Sequence, residues 1–224
     1  MIMKLTEELK IYFPTYECVL PVSKKSCLFN PFRVKDAKNL GIVLQENNKK
    51  LAFLAMVELL RNNTKDLDIE SLCLADAEYL FLQIRSKSID EVINVVYENQ
   101  KHSLNISNIS CQNENIKNKV FDIGNEISIE LETPTIKNLI TLNTFEQSDL
   151  RKASIKKVII KKEIYDSKVF LPEEIKEFIE NMPLNVVPMF DDFLLNQPRL
   201  SYSFKLNDGT EKEVNGLLDF FILR

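Results

Sequence analysis

Histidine occurs once in this chain of 224 residues, at His102, and glycine only four times, at Gly41, Gly124, Gly209 and Gly216. One imidazole excludes histidine-rich metal centres and leaves any histidine-dependent triad resting on a single residue. Four scattered glycines cannot write a P-loop or a dinucleotide fingerprint, which need glycine where backbone closes on phosphate. Tryptophan is absent, which neither supports nor excludes an interface. The four cysteines, Cys18, Cys27, Cys73 and Cys111, are widely and irregularly spaced. A disulfide framework expects clustered pairs in a secreted context, so the expectation is reduced, mostly buried thiols in a cytoplasmic protein. No stretch approaches the roughly 18 apolar residues of a membrane span. The longest candidate, Leu51 to Leu60, contains Glu58 and reads as a buried helix. Glu7 and Glu8 stand where a signal peptide would carry an apolar core, so none is expected. Excess positive charge is also missing: a net charge of -4 argues against a generic nucleic-acid binder.

What is present describes a soluble globular chain. Hydrophobic residues make up 45% and charged residues 28%, and the length suffices to bury a real core. The most distinctive stretch is Leu74-Ala-Asp-Ala-Glu-Tyr-Leu-Phe-Leu-Gln-Ile-Arg-Ser-Lys-Ser-Ile-Asp90. Tyr79, Leu80, Phe81 and Leu82 cannot share one stripe of a helix, so neighbours must cover it on more than one side. Arg85 and Lys87 place positive charge at its C-terminal end, where the helix dipole favours it. The segment reads as a packing element.

Around it the chain alternates in character. Pro14, Pro21 and Pro31 keep the first thirty residues extended, with a hairpin-like pair around Lys24-Lys25. Val34, Ala37, Leu40, Val43 and Leu44 follow helical spacing despite Gly41, and Lys49 to Arg61 forms a second helix. Val92, Val95 and Val96 open a β-branched run, and Ile127, Ile129 and Leu131 alternate strictly. Helical patterns return after Pro134, over Leu150 to Ile164, and over Pro172 to Asn181, where proline and two glutamates suit a first turn. Tyr202, Phe204 and Leu206 lead into Asn207-Asp-Gly-Thr210 and then Val214, a tight hairpin signal. The expected fold class is α+β, mainly helical, with a small antiparallel β-sheet inserted mid-chain and a C-terminal β-hairpin. The expected organisation is one domain over 1–224: an extended segment and helices (1–90), a small sheet (91–132), then helices and the hairpin (133–224).

Candidate chemistry is sparse. His102 lies in a polar, loop-like stretch and reads as exposed, and a dyad with Cys111 would need the two side chains within hydrogen-bond reach. Asp191 and Asp192 are adjacent, and neighbouring residues on a helix point about 100° apart, so exposed or helix-terminal charge explains them better than acid–base work. Asp66, Asp68 and Glu70 have the spacing of a calcium-loop start without its glycine or distal glutamate. Lys152, Lys156, Lys157, Lys161 and Lys162 alternate with Ile155, Val158, Ile159 and Ile160, which reads as a solvated helix face. The C-terminal part is richer in aromatics. Phe190, Phe193, Phe220 and Phe221, with Leu217, Leu218, Ile222 and Leu223, must dock either on the protein's own core or on a partner. These four phenylalanines are the candidate partner-binding residues; no catalytic, cofactor-binding or metal residue is assigned, and no cofactor is expected.

Three blocks resemble the T-even-type phage baseplate family, which includes a baseplate hub subunit and a hub assembly catalyst. Phe29-Asn-Pro-Phe-Arg-Val-Lys-Asp-Ala-Lys38 is similar to the family's lead into a helix. Ala75 to Ile89 is similar to its "F-D-x-E-Y-L-F-L-x-L-R-A-K-S-V" helix. Gln197-Pro-Arg-Leu200, the hairpin, and Gly216-Leu-Leu-Asp-Phe-Phe221 look like its C-terminal pattern. Many relatives carry cysteine pairs in the sheet and in the C-terminal hairpin; here Cys111 stands alone, so a zinc ribbon is not implied. The resemblance implies a non-enzymatic protein that promotes hub assembly by binding phage baseplate hub proteins, with neither nucleic acid nor membrane as partner. Its place would be the host cytoplasm during assembly, or the virion tail. The alternatives are a permanent structural subunit of the hub and, more remotely, a thiol-dependent enzyme using Cys111 and His102.

Overall fold

The computed structural model describes residues 13–46, 48–97, 100–116, 118–206 and 209–215. In its first half the chain forms β1 (Tyr16–Val19), β2 (Ser26–Phe29), α1 (Val34–Gln45), α2 (Lys49–Asn63), β3 (Thr64–Lys65), α3 (Leu74–Ser88), β4 (Val92–Tyr97), β5 (Gln100–Asn105) and β6 (Ser110–Gln112). There follow β7 (Lys119–Gly124), β8 (Ile127–Leu131), α4 (Ile136–Thr141), α5 (Gln147–Ser154), β9 (Ile155–Ile160) and β10 (Glu163–Asp166). The chain then runs through α6 (Pro172–Glu180), α7 (Val187–Leu195), β11 (Arg199–Lys205) and β12 (Glu211–Asn215).

The expectation of a mainly helical chain with one inserted sheet is corrected. Among the described residues there are four antiparallel sheets, in the orders β1-β2-β3, β4-β5, β12-β11-β6 and β10-β9-β8-β7. The stretch Leu150 to Ile164 accounts for much of the difference. It is helical only through Ser154, after which β9 and β10 pair as a hairpin with Ile160 opposite Glu163. Ile155, Val158, Ile159, Ile160 and Ile164 are β-branched and fit a pleated surface better than a helix. Lys161 and Lys162 reverse the chain at φ 49° and 72°, the left-handed pair that a two-residue hairpin loop requires. Neither is glycine or asparagine, so the turn was hidden. The lysine cluster therefore spans a helix end and a hairpin, not one helix face.

The chain clusters into two compact units: one built from residues up to Gln112 together with those from Arg199 onward, the other from Asn113–Pro198. The mid-chain block 91–132 is divided between them, β4 to β6 in the first and β7 to β8 in the second.

In the first unit α3 is central. It buries Ala75, Asp76, Ala77, Glu78, Leu80, Phe81, Leu82 and Ile84, positions that together cover most of its circumference, as its sequence demanded. It packs on α2 and on β11. Asn48 starts α2 by accepting from the N–H groups of Lys50 (3.0 Å) and Leu51 (3.1 Å), which satisfies two otherwise orphan donors. The same sheet unites distant chain: β6 pairs with β11, with Leu200 opposite Cys111 and Arg199 opposite Gln112.

The second unit packs a sheet face against helices. Ile129, Leu131, Ile155 and Val158 from β8 and β9 meet Ile175 of α6, Val186 just before α7, and Phe190 and Phe193 of α7. The Pro172-Glu173-Glu174 start works as its sequence predicts, with the Leu171 N–H donating to Glu174 Oε2 at 2.7 Å.

Candidate functional site

Described parts of the three distinctive sequence blocks meet around α3. From the first block, the Phe32 N–H donates to Ser88 Oγ at 2.7 Å, and that hydroxyl donates onward to the Ile84 carbonyl at 2.6 Å. The Phe32 ring lies 5.4 Å from that of Phe81. At the other end of α3, Asp76 is 0% exposed and accepts from the Val22 N–H (2.8 Å) and the Ser23 N–H (2.9 Å). One carboxylate thereby fastens the β1–β2 loop to the first turn of α3, where the helix dipole also favours negative charge. The third block reaches the same helix through β11. Arg85 donates to the Asp90 carbonyl at 3.3 Å, and Lys87 pairs with Glu91 at 2.7 Å, so both predicted cations engage the residues just past the helix end. The arrangement is a clamp that holds backbone segments together; it positions no nucleophile against a base.

The other candidates are engaged in local structure. His102 lies in β5, not in a loop, and its half-buried ring sits 4.6 Å from Phe204. Cys111 lies in β6 with its thiol directed at the Gln112 carbonyl, 3.7 Å away. Cys73 precedes α3 at its N-cap position, and burial pushes its thiol up to about 12, the mark of an inert thiol. Asp191 takes a two-pronged contact from Arg151 (3.0 and 2.7 Å to Oδ1, 3.0 Å to Oδ2), whereas Asp192 meets Lys119 at 3.4 Å. The adjacent carboxylates thus diverge, as helical geometry requires. Asp68 caps a short 3-10 turn and Glu70 pairs with Arg61, so the calcium-like spacing closes on no common point. Among the described residues no group of three or more histidine, cysteine, aspartate or glutamate side chains is placed to hold a metal ion, and no helix is long and apolar enough to cross a membrane.

Three of the five lysines are matched by carboxylates: Lys152 with Asp149, Lys156 with Glu130 and Glu132, and Lys157 with Glu130. Hydrogen bonds from Asn118 and Lys157 hold the Glu130 carboxyl below its usual range, and contacts from Lys152 and Thr144 do the same for Asp149. Lysines neutralised in this way have little to offer a phosphate backbone.

Phe190 and Phe193 are 1% and 0% exposed, inside the core of the second unit. Phe220 and Phe221 lie outside the described residues. A different apolar feature escaped the sequence reading. Ile164, Val169 and Leu171 are 64 to 67% exposed on β10 and the segment that follows it, and β10 is an outer strand of its sheet. Reading Leu150 to Ile164 as a helix concealed this edge; the alternation of β-branched residues on either side of a Lys-Lys step was the available signal.

A family model described as T4 bacteriophage base plate protein matches residues 13–222. No curated protein and no solved structure matches the chain.

Proposed function

The chain belongs to the T4 bacteriophage base plate protein family, and from that premise we propose a non-enzymatic assembly protein that promotes formation of the tail baseplate hub by binding hub subunits. Membership itself implies contacts with other baseplate proteins and a place in, or in the assembly of, the virion tail. The observation that carries the finer reading is the use of the distinctive residues. Phe32, Asp76, Phe81 and Ser88 hold segments of one unit to each other, so the shared signature preserves a shape for presenting surfaces.

The exposed edge at β10, with Ile164, Val169 and Leu171, suits a hub-subunit contact. An unpaired outer strand offers backbone donors and acceptors to a partner strand, and exposed apolar residues beside it supply area. Phe190 and Phe193 would support that surface from beneath by fixing α7 against the sheet, and Phe220 and Phe221 are proposed as direct partner contacts.

Infection with a phage lacking the gene should accumulate hubs or tails that fail to assemble, while mass spectrometry of purified wild-type virions should find the protein absent or far below stoichiometric copy number. Normal baseplates from the deletion phage would overturn the assembly role. A fixed copy number in virions would instead make the protein a permanent structural subunit. Ile164→Lys should leave the melt unchanged and reduce co-purification of hub subunits from infected cells; undiminished co-purification would remove β10 from the contact.

A further inference from the structure

The first hairpin places two of the four cysteines directly opposite one another. In the β1–β2 register Tyr16 faces Phe29, Glu17 faces Leu28, Cys18 faces Cys27 and Val19 faces Ser26. Tyr16, Cys18, Cys27 and Phe29 occupy the more buried face, and Glu17, Val19, Ser26 and Leu28 the exposed one, so both thiols lie on the same side of the ribbon. Directly opposed antiparallel residues bring their Cβ atoms to about 4.5–5.5 Å, close to the roughly 3.5–4.5 Å of a disulfide. Both thiols are free and close enough for each to shift the other, and the Cys27 thiol also points at the Leu28 carbonyl, 3.6 Å away. The contact between the two thiols holds the Cys27 thiol below its ordinary range. It also raises Cys18, with burial and the Glu17 and Asp76 carboxylates acting in the same direction. Cys27 is 2% exposed and Cys18 half-buried, so a reagent reaches the pair through Cys18.

We propose that Cys18 and Cys27 form a dithiol oxidation site that closes to a cross-strand disulfide by exchange with a small-molecule disulfide of the oxidised-glutathione class. The thiol pair loses one proton, the proton that remains resides on Cys27, and the accessible Cys18 sulfur attacks one sulfur of the oxidant. The oxidant's S–S bond breaks, and one glutathione leaves and takes up the proton. The Cys27 sulfur, once deprotonated, then attacks Cys18 in the mixed disulfide and expels the second glutathione, which is protonated in turn. Two protein thiols are oxidised and one disulfide is reduced to two thiols. Cys73 and Cys111, on a helix cap and on β6, share no strand register and serve as internal controls. The bridge ties β1 to β2 just beside the loop that Asp76 already fastens to α3, so it stiffens the clamp from the outside.

The test uses the full chain, purified reduced and then held with excess oxidised glutathione. After acid quenching and unfolding, titratable thiols should fall from four to two, the mass should drop by two hydrogens, and peptide mapping should join the Cys18 peptide to the Cys27 peptide. Cys27→Ser should stop at a glutathione adduct on Cys18, and Cys18→Ser should keep its three remaining thiols. Four titratable thiols in the treated wild-type protein, or a bridge between any other pair, would overturn the proposal. Because the wild-type map decides alone, loss of folding in either serine variant does not weaken the test.

Discussion

The two units solve the burial of a core by different routes. The first gathers segments far apart in the chain around α3: the β1–β2 loop through Asp76, Phe32 through Ser88, and β11 from beyond the second unit. The second is continuous, and its sheet joins strands that follow one another as hairpins, β7 to β8 and β9 to β10, with β8 paired to β9. The recognisable sequence blocks fall almost wholly in the first. Long-range closure tolerates few substitutions, because each buried partner must suit segments that cannot adjust together. A locally built unit can vary its surface while keeping a simple apolar face. The contrast sets a core closed by long-range partners in the first unit against one closed by neighbouring hairpins in the second.

The severest challenge to that contrast is dissection. Residues 113–198 expressed alone should show a cooperative melt and dispersed amide resonances, whereas residues 1–112 alone, which lack β11 and β12, should not. A fragment 1–112 that melts like the intact protein would break the comparison. Next in size is Phe193→Ala, which empties a fully buried ring site and should cost about 3–5 kcal/mol. Denaturant unfolding followed by amide exchange should place the loss in the second unit, and equal loss of protection around α3 would contradict independent cores. Asp76→Ala should act in the first unit and cost about 1–3 kcal/mol, since it strands the Val22 and Ser23 N–H groups. Exchange at those two amides should rise more than anywhere in 113–198.

The smallest effect separates the units by acid. Glu130 and Asp149, both in the second unit, have carboxyls held below their usual range by hydrogen bonds and lysines. A depressed folded-state value contributes stability that is present above the unfolded carboxyl value, about 4, and disappears as pH falls through the lower folded value. The second unit should therefore lose protection measurably as pH is lowered below about 4, and Glu130→Gln should flatten that slope. A slope unchanged by the substitution would remove these pairs from the account. Because each carboxylate keeps partial solvent contact and its lysine partner reaches water, the change should be small.

Much of this organisation was legible in the chain, and the failures have physical causes. The α2 and α3 helices, the Pro172 helix and both terminal hairpins follow from apolar spacing, caps and turn residues, which act over a few positions. The density of Tyr79 to Leu82 correctly implied a helix covered on several sides. What stayed hidden was decided at a distance or by atypical turns. Nothing local marks β6 as the partner of β11, and His102 gained a strand from its pairing in β5 with Val95 opposite it. The Lys161-Lys162 reversal uses residues that normally avoid positive φ, so a hairpin passed for a helix. For the two buried candidate phenylalanines, docking on the protein's own core was one of two open readings, and α7 itself was not read from the sequence.

The pairing of Gln112 with Arg199 also sets a clock. The chain leaves the first unit after one of these residues and returns at the other, so β11 does not exist until everything between has been translated. At about 5–20 residues per second, that interval is roughly 4–17 s. Throughout it α3 lacks the strand that finally packs on it and β6 presents an open edge, while the continuous unit already has all of its own sequence. The inserted unit therefore has its full sequence first on the ribosome, and the unit built around α3 is the last to close.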